Sequence, residues 1–303
     1  MVKQALTGRQ MQLDAAIAGP LFMLSAALLF TLLNLIVKLL GPAYTVWSIG
    51  FYRFFGGALV LIAVFGRHKN PYGGVNIRLL IIRGCTGCTA FICMVMAIRL
   101  LPVSTALIIF YSFPAFSAIF SFFIYRERIS IFEIALIAMV LVGVGILFDF
   151  QFGGDLPGQI FALVGAVFAG LTVTLIRTLR EHNGPVIIYL YLCTTGMLVT
   201  APMFALHPVW PSTPMEMGMI LGLILSSVMA QLLMNQGFFY CRGWEGGMFM
   251  SSEVVFTAVA GIMFLGDPVT WRFWCGGLII LFSVAALNRL TAMGNRKAAA
   301  SSP

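Results

Sequence analysis

Two ionisable side chains lie deep inside apolar segments of the sequence. Arg53 is near the middle of one such segment, and Glu253 lies about two turns into another. A charged group inside a bilayer is costly unless it faces water, a ligand or an opposite charge. We therefore expect both groups to face a central cavity, where Glu253 either pairs with Arg53 or meets the ammonium of a solute. A structural ion pair without a role in binding is the alternative.

Further polar side chains recur at helical spacing within the apolar segments. Residues three, four or seven apart share one face of a helix, and a polar group facing lipid is costly, so these positions should point inward. Hydrogen bonds between helices are the alternative to solute binding. The polar positions are Thr31, Asn34, Tyr111, Thr172, Gln231 and Asn235.

The chain is rich in aromatic residues, with 27 Phe, 8 Tyr and 5 Trp. Those at the ends of apolar segments are expected to anchor the chain at the membrane interface. Those nearer the interior could stack on an aromatic solute, with packing between helices as the alternative. The interior set is Trp47, Tyr52, Tyr111, Tyr189 and Phe238.

Signatures of several enzyme and cofactor classes are missing from the sequence. It contains no G-x-x-x-x-G-K-[ST] phosphate loop, no H-E-x-x-H and no Ser-His-Asp arrangement. The histidines are unclustered, which argues against a metal site. We therefore expect no catalytic residues, no metal ligands and no cofactor.

Composition indicates that the solvent of this chain is a bilayer. Of its 303 residues, 60% are hydrophobic and 9% are charged, whereas soluble domains carry about 25% charged residues. A spanning helix needs about 20 mostly apolar residues. The predicted spans are Ala15–Leu40, Tyr44–Gly66, Ile77–Ile98, Val103–Tyr125, Ile131–Phe148, Leu156–Leu179, Val186–Leu206, Met215–Cys241, Gly246–Leu265 and Trp271–Leu290.

The sequence repeats itself at a fixed offset of 140 residues. Ser252 corresponds to Ser112, and Asp267 corresponds to Glu127. The repeat predicts two copies of one unit, residues 15–150 and 151–290. Because each copy has an odd number of spans, the second must enter the membrane upside down. We therefore predict an all-α integral membrane protein with ten transmembrane helices, arranged as two inverted five-helix repeats around a central cavity.

Basic residues predict the orientation, because Lys and Arg are retained on the cytoplasmic side. Most of the 18 Lys and Arg residues, Arg83 and Arg180 among them, fall at or near one face when the N-terminus is placed inside. We expect residues 1–14 and 291–303 to be polar cytoplasmic tails. Glycine pairs, including Gly56-Gly57 and Gly218-x-x-x-Gly222, are expected where helices approach closely.

Several of these segments resemble the paired EamA domains of the drug/metabolite transporter superfamily, over roughly residues 16–290. The matching pieces are Arg53, Pro114, Glu127-Arg128-Ile129-Ser130, Gly143-Val144-Gly145, Gly266-Asp267-Pro268-Val269-Thr270 and Gly276-Gly277. Family members usually carry Glu at the second acidic turn, where this chain has Asp267. The length, the spans and the aromatic content resemble the bacterial aromatic amino-acid exporters of this superfamily.

The resemblance implies export of small amphipathic metabolites, aromatic amino acids foremost, by alternating access. Other substrates such as nucleobases or cationic drugs stay open, as does an integral membrane lipid-modifying enzyme. We expect the bacterial inner (plasma) membrane as location, a small-molecule substrate and lipid as partners, no nucleic acid, and a monomer, with an oligomer left open. The predicted cavity residues are Asn34, Trp47, Tyr52, Arg53, Tyr111, Thr172, Tyr189, Gln231, Asn235, Phe238 and Glu253.

Overall fold

The described part of the chain consists of α-helices and short turns, with no strand among its residues. The computed structural model describes residues 2–66, 70, 72–100, 106, 109–126, 130–147, 156–241, 243–265, 271, 274–276, 278–279, 281–283 and 286. The helices are α1 (Val2–Leu39), α2 (Val46–Phe65), α3 (Ile77–Leu100), α4 (Phe113–Tyr125), α5 (Ile131–Leu147), α6 (Leu156–His182), α7 (Pro185–Leu206), α8 (Pro214–Tyr240), α9 (Gly243–Met250) and α10 (Ser252–Leu265). The described residues from 271 onward are helical as well.

Local sequence sets where two of these helices begin. Thr45 precedes α2 and accepts a hydrogen bond from the Ser48 backbone N–H at 3.2 Å. Thr213 precedes α8 and accepts one from the Glu216 N–H at 3.2 Å. Such caps satisfy backbone donors that have no partner inside the helix. Pro214 then takes the first helical position, where a missing N–H costs nothing.

Among the residues that the structure describes, six helices are long and apolar enough to cross a membrane, so the chain is an integral membrane protein. They are Ile17–Leu39, Val46–Phe65, Ile77–Leu100, Leu156–His182, Pro185–Leu206 and Pro214–Tyr240. These correspond to the first three predicted spans of each repeat. The described parts of the other four spans are shorter, and the acidic turns at Glu127 and Asp267 and the tail 291–303 lie outside the described residues. The total of ten spans stays a prediction.

The helix bounds recur at the offset seen in the sequence. α2 begins at Val46 and α7 at Pro185, while α3 ends at Leu100 and α8 at Tyr240. The offset of 140 is reproduced to within a residue at these four ends. The chain therefore repeats its local structure as well as its sequence.

The long helices of the first repeat pack against those of the second. The first long helix of each repeat packs on the third of the other, and the two middle helices pack on each other. α1 packs on α8, α3 on α6, and α2 on its own counterpart α7. Along the last pair, a Cβ built on Gly50 would lie 2.8 Å from Thr200, and one built on Gly57 would lie 3.0 Å from Cys193. Since the residue numbers rise on one helix and fall on the other, α2 and α7 run antiparallel.

The predicted span Val103–Tyr125 is interrupted near its middle. Residues 109–110 are helical, Tyr111 and Ser112 form a turn, and α4 starts at Phe113. Pro114 explains the interruption, because proline lacks an N–H and its ring collides with the carbonyl four residues earlier. The Ser112 hydroxyl compensates by donating to the Ile109 carbonyl at 2.6 Å.

A second interruption falls at the corresponding place in the other repeat, which corrects the prediction of one helix over Gly246–Leu265. α9 ends at Met250, Ser251 forms a turn, and α10 starts at Ser252. The two interrupted helices touch there, since a Cβ on Gly247 would lie 2.9 Å from the Phe113 ring. No proline marks this position, so the sequence offered no local signal for it.

Two other expectations concern described residues. α1 extends back to Val2, so residues 2–14 are helical, and their place as a cytoplasmic tail stays a prediction. The glycine prediction holds at Gly56, whose added Cβ would collide with Ile224, and at Gly222, where the distance to Ile36 would be 3.1 Å. It is wrong at Gly218, which has nothing within 4 Å.

Candidate functional site

A cavity of about 160 Å³ lies between the long helices at the level of the two interruptions. Its wall is mostly apolar, with aromatic rings and methionines. The aromatic and methionine residues of the wall are Phe30, Phe54, Phe91, Phe110, Phe113, Phe238, Met94, Met234 and Met250. The polar and charged residues of the wall are Asn34, Arg53, Arg83, Tyr111, Thr172, Gln231 and Glu253. An amphipathic solute would find both kinds of surface here.

Glu253 is held in the first turn of α10, directly after the second interruption. The Asn34 side-chain amide donates to Oε1 of Glu253 at 2.7 Å. The Tyr111 hydroxyl, at the first interruption, lies close to this carboxyl group. Glu253 is only 7% exposed. The carboxyl is therefore held on the cavity wall by Asn34 of α1, with Tyr111 beside it.

Arg53 reaches the cavity from α2 and rests on aromatic rings. Its guanidinium carbon lies 4.2 Å from the centre of the Phe91 ring and 5.6 Å from that of Phe54. Its Nε is buried and has no hydrogen-bond partner. Within the described residues, Arg53 and Glu253 form no direct ion pair. Opposite charges thus share the cavity wall without neutralising each other by contact.

Arg83 is a third charged residue of the wall. Its side chain is fully buried in α3. Nη2 donates to the side-chain oxygens of Gln231, at 3.2 Å, and Asn235, at 3.3 Å. Nε and Nη1 have no partner. The feature of the sequence that could have predicted this burial is the position of Arg83 inside the span that begins at Ile77, about two turns from the helix start.

Arg180, in the last turn of α6, is also buried. It donates to the Asn183 carbonyl and to the Gln236 side-chain oxygen, each at 2.6 Å. The Asn183 side chain in turn pairs with the backbone of Val75, accepting from its N–H at 2.7 Å and donating to its carbonyl at 3.1 Å. These contacts tie α6, α8 and the segment before α3 together at one end of the bundle.

The opposite end is closed by a separate set of polar contacts. Tyr44 donates to the Glu216 carboxylate at 3.1 Å, and Tyr52 donates to the Val209 carbonyl at 2.6 Å. The Arg99 guanidinium donates to the Tyr44 carbonyl. The cavity therefore lies between two clusters of polar contacts, one around Arg180 and Asn183 and the other around Tyr44 and Tyr52.

Of the predicted cavity residues, seven lie on the wall and four do not. The seven are Asn34, Arg53, Tyr111, Thr172, Gln231, Phe238 and Glu253. Asn235 lies behind Arg83, and Tyr189 is buried in the core with its hydroxyl 3.0 Å from that of Ser227. Tyr52 belongs to the cluster of polar contacts around Tyr44 at one end of the helices, and Trp47 is partly buried near the start of α2. Contact with a solute stays a prediction for all eleven.

Comparison with known proteins defines the class of the chain. The profile of the EamA-like transporter family matches residues 17–148 and 156–289. The chain belongs to the EamA-like transporter family. Since the two matches cover both repeats separately, the family unit occurs twice.

Two curated relatives match over most of the chain. The pseudopaline exporter CntI of Pseudomonas aeruginosa is 25% identical over 280 residues, which cover 92% of this chain and 99% of the relative. The human solute carrier family 35 member G1 is 23% identical over 281 residues, which cover 88% and 77%. The family and both relatives are transporters, so this chain is a membrane transporter and not an enzyme.

A solved structure, described as "Crystal structure of protein", shares the fold. Its TM-score is 0.75 with 20% sequence identity, and the match covers 91% of this chain and 97% of that one. At this identity the likeness concerns the fold alone. It shows that the helix arrangement described here occurs in a protein of clearly different sequence.

Proposed function

We propose that the chain exports small amphipathic zwitterions, with aromatic amino acids as the first candidates. The observation that carries the proposal is the cavity wall, on which buried Arg53 and Glu253 face the same space without a direct ion pair. A guanidinium suits a carboxylate and a carboxylate suits an ammonium, which are the two charges of an α-amino acid. The remaining wall is apolar and aromatic, as an aromatic side chain would require.

The charge of the wall weighs against one of the alternative substrate classes. With Arg53 and Arg83 beside a single acid, the wall carries an excess of positive charge. Cationic drugs would be repelled from such a cavity, because unscreened like charges interact strongly away from water. Nucleobases lack the paired charges that the wall offers.

The direction of transport is supported by one of the relatives. The bacterial relative is a pseudopaline exporter that matches over nearly its whole length. We infer export from the cytoplasm across a bacterial inner membrane, and pseudopaline joins the amino acids as a second candidate solute. At this sequence identity the residues that contact the solute can differ between the two proteins.

We infer that the chain moves its solute by alternating access between two inverted five-helix repeats. The antiparallel crossing of α2 and α7 and the packing of α1 on α8 and of α3 on α6 support a two-fold relation between the halves. An inverted pair of this kind places the binding site near the middle of the membrane. Both termini are then cytoplasmic, and cysteine labelling at the two ends of the chain in intact and opened cells tests this.

Counterflow in proteoliposomes tests the proposed function. Vesicles containing purified protein and unlabelled phenylalanine should accumulate labelled phenylalanine faster than vesicles without internal amino acid. The E253Q variant should lose most of this exchange, whereas E181Q, at an exposed position of α6, should keep it. Absence of exchange for phenylalanine, tyrosine, tryptophan and pseudopaline alike would overturn the proposal.

A further inference from the structure

We propose that Arg83 forms a second anion subsite, which selects solutes carrying a second carboxylate. This inference rests on the proposed function and deepens it, since it names the solutes that the cavity should prefer. Such a solute has an α-amino acid head for Arg53 and Glu253, and a further carboxylate at the other end of its side chain.

The hydrogen bonds of Arg83 leave its charge uncompensated. The side chain is fully buried, and its partners Gln231 and Asn235 are neutral amides that take up only Nη2. No carboxylate pairs with it among the residues that the structure describes. A buried charge without a counterion is strongly destabilising. A solute anion would supply the missing charge.

Two nitrogens of the guanidinium remain free to donate. Nε and Nη1 of Arg83 lack partners, and they donate in different directions, because Nη1 lies on the Cδ side and the Nε–H points to the Nη2 side. Each can give one charge-assisted hydrogen bond to a carboxylate oxygen. The amides bonded to Nη2 hold the plane in place, so little freedom remains to be lost when a solute binds.

The side of Arg83 that faces the cavity passes a glycine. Gly87 lies one turn after Arg83 on α3 and belongs to the cavity wall. A Cβ built there would lie 3.1 Å from Leu192 and 3.7 Å from Nη1 of Arg83. The two free nitrogens are themselves buried, so a solute anion must move neighbouring side chains to reach them, and a methyl group at position 87 would crowd that approach.

The balance of charge points to the same class of solute. The wall carries the charged side chains of Arg53, Arg83 and Glu253. One ammonium and one carboxylate leave a single positive charge uncompensated, whereas one ammonium and two carboxylates balance all three. A dicarboxylic amino acid therefore matches the wall better than a neutral zwitterion of the same shape.

Binding to matched ligand pairs tests the subsite. Each pair shares the amino-acid head and differs by one carboxylate: phenylalanine with 4-carboxyphenylalanine, and norleucine with 2-aminoadipate. Affinity is measured for the purified full-length protein in nanodiscs. The wild type should bind the dicarboxylate member about tenfold or more tightly, as expected for a charge-assisted hydrogen bond.

Substitutions then assign that preference to Arg83. R83Q should reduce the ratio of the two affinities to about one, and R83K, which keeps the charge but has a single nitrogen, should give an intermediate ratio. G87A keeps Arg83 and should lower the ratio by crowding Nη1, which serves if the buried arginine variants fail to fold. R78Q, at an exposed position of the same helix, is the matched control and should keep the wild-type ratio.

The outcomes separate this inference from the proposed function. If the wild type binds the monocarboxylates but shows no preference for their dicarboxylate partners, the subsite is wrong and the proposed function stands. If R83Q weakens both members of each pair by the same factor, Arg83 is a structural cross-link only. If none of the four ligands binds, both the proposed function and the subsite fail.

Discussion

The Tyr111 hydroxyl lies close to the carboxyl group of Glu253, which brings the two helix interruptions together on the cavity wall. The two residues are far apart in sequence and belong to different repeats. Both are almost fully buried, at 3% and 7% exposure. Each interruption thus supplies one of two neighbouring polar groups of the cavity.

Y111F should lower counterflow of phenylalanine about two- to tenfold, because the polar hydroxyl beside the Glu253 carboxyl is lost. The ring remains, so the apolar wall should be preserved. Y72F, at an exposed tyrosine, is the control and should transport like the wild type. Equal rates for both variants would show that the Tyr111 contact does not position Glu253 for binding.

R53Q should abolish the discrimination between phenylalanine and phenylalaninamide. The two ligands differ at the carboxylate, which we assign to Arg53, so the wild type should prefer phenylalanine. The comparison is made as a ratio of affinities in nanodiscs, with R78Q as the exposed control on α3. A ratio that survives in R53Q would assign carboxylate binding to another residue.

G170A should destabilise the fold by about 1–3 kcal/mol, because an added methyl group has no space. A Cβ on Gly170 would lie 2.7 Å from Cβ of Phe116 and 2.9 Å from the backbone N of Ser117. These are atoms of α4 that cannot rotate away. Thermal unfolding in detergent should show a lower Tm than for the wild type.

The matched control for that substitution is G218A. Nothing lies within 4 Å of a Cβ at Gly218, so its Tm should be unchanged or slightly higher. A similar Tm loss at both positions would mean that the packing of α4 on α6 is looser than described.

N183A should lower the Tm by removing the paired contacts between its side chain and the backbone of Val75. The expected cost is about 1–3 kcal/mol, since a largely buried polar contact is lost. N70A, at an exposed position where the side chain makes a local bond to the Tyr72 N–H, is the control. Equal unfolding temperatures for N183A and N70A would show that the contacts around Asn183 contribute little to stability.

The sequence predicted the features that depend on the cost of placing polar groups in lipid. Six spans were found where the apolar segments are long. Arg53, Glu253 and Asn34 were expected to face inward, and the structure places all three on one cavity wall. These predictions need only the length and polarity of a segment, both of which are local properties.

The remaining features depend on which helices become neighbours. Helices that are apolar on all sides give no sign of which face lines a cavity, so Tyr189 and Tyr52 were assigned to the wall although they lie elsewhere. Arg83 was overlooked because an arginine two turns into a span can extend its side chain to the interface. Its burial follows from the amides of α8, which sequence alone does not bring close.

The paired interruptions have a mechanical consequence. A continuous helix tilts as one rigid body, so a movement at one membrane surface is transmitted to the other. A helix that is interrupted halfway can move one segment while its other segment stays packed. With an interruption in each repeat beside the same cavity, we expect the segments on its two sides to move one at a time, as the proposed alternating access requires.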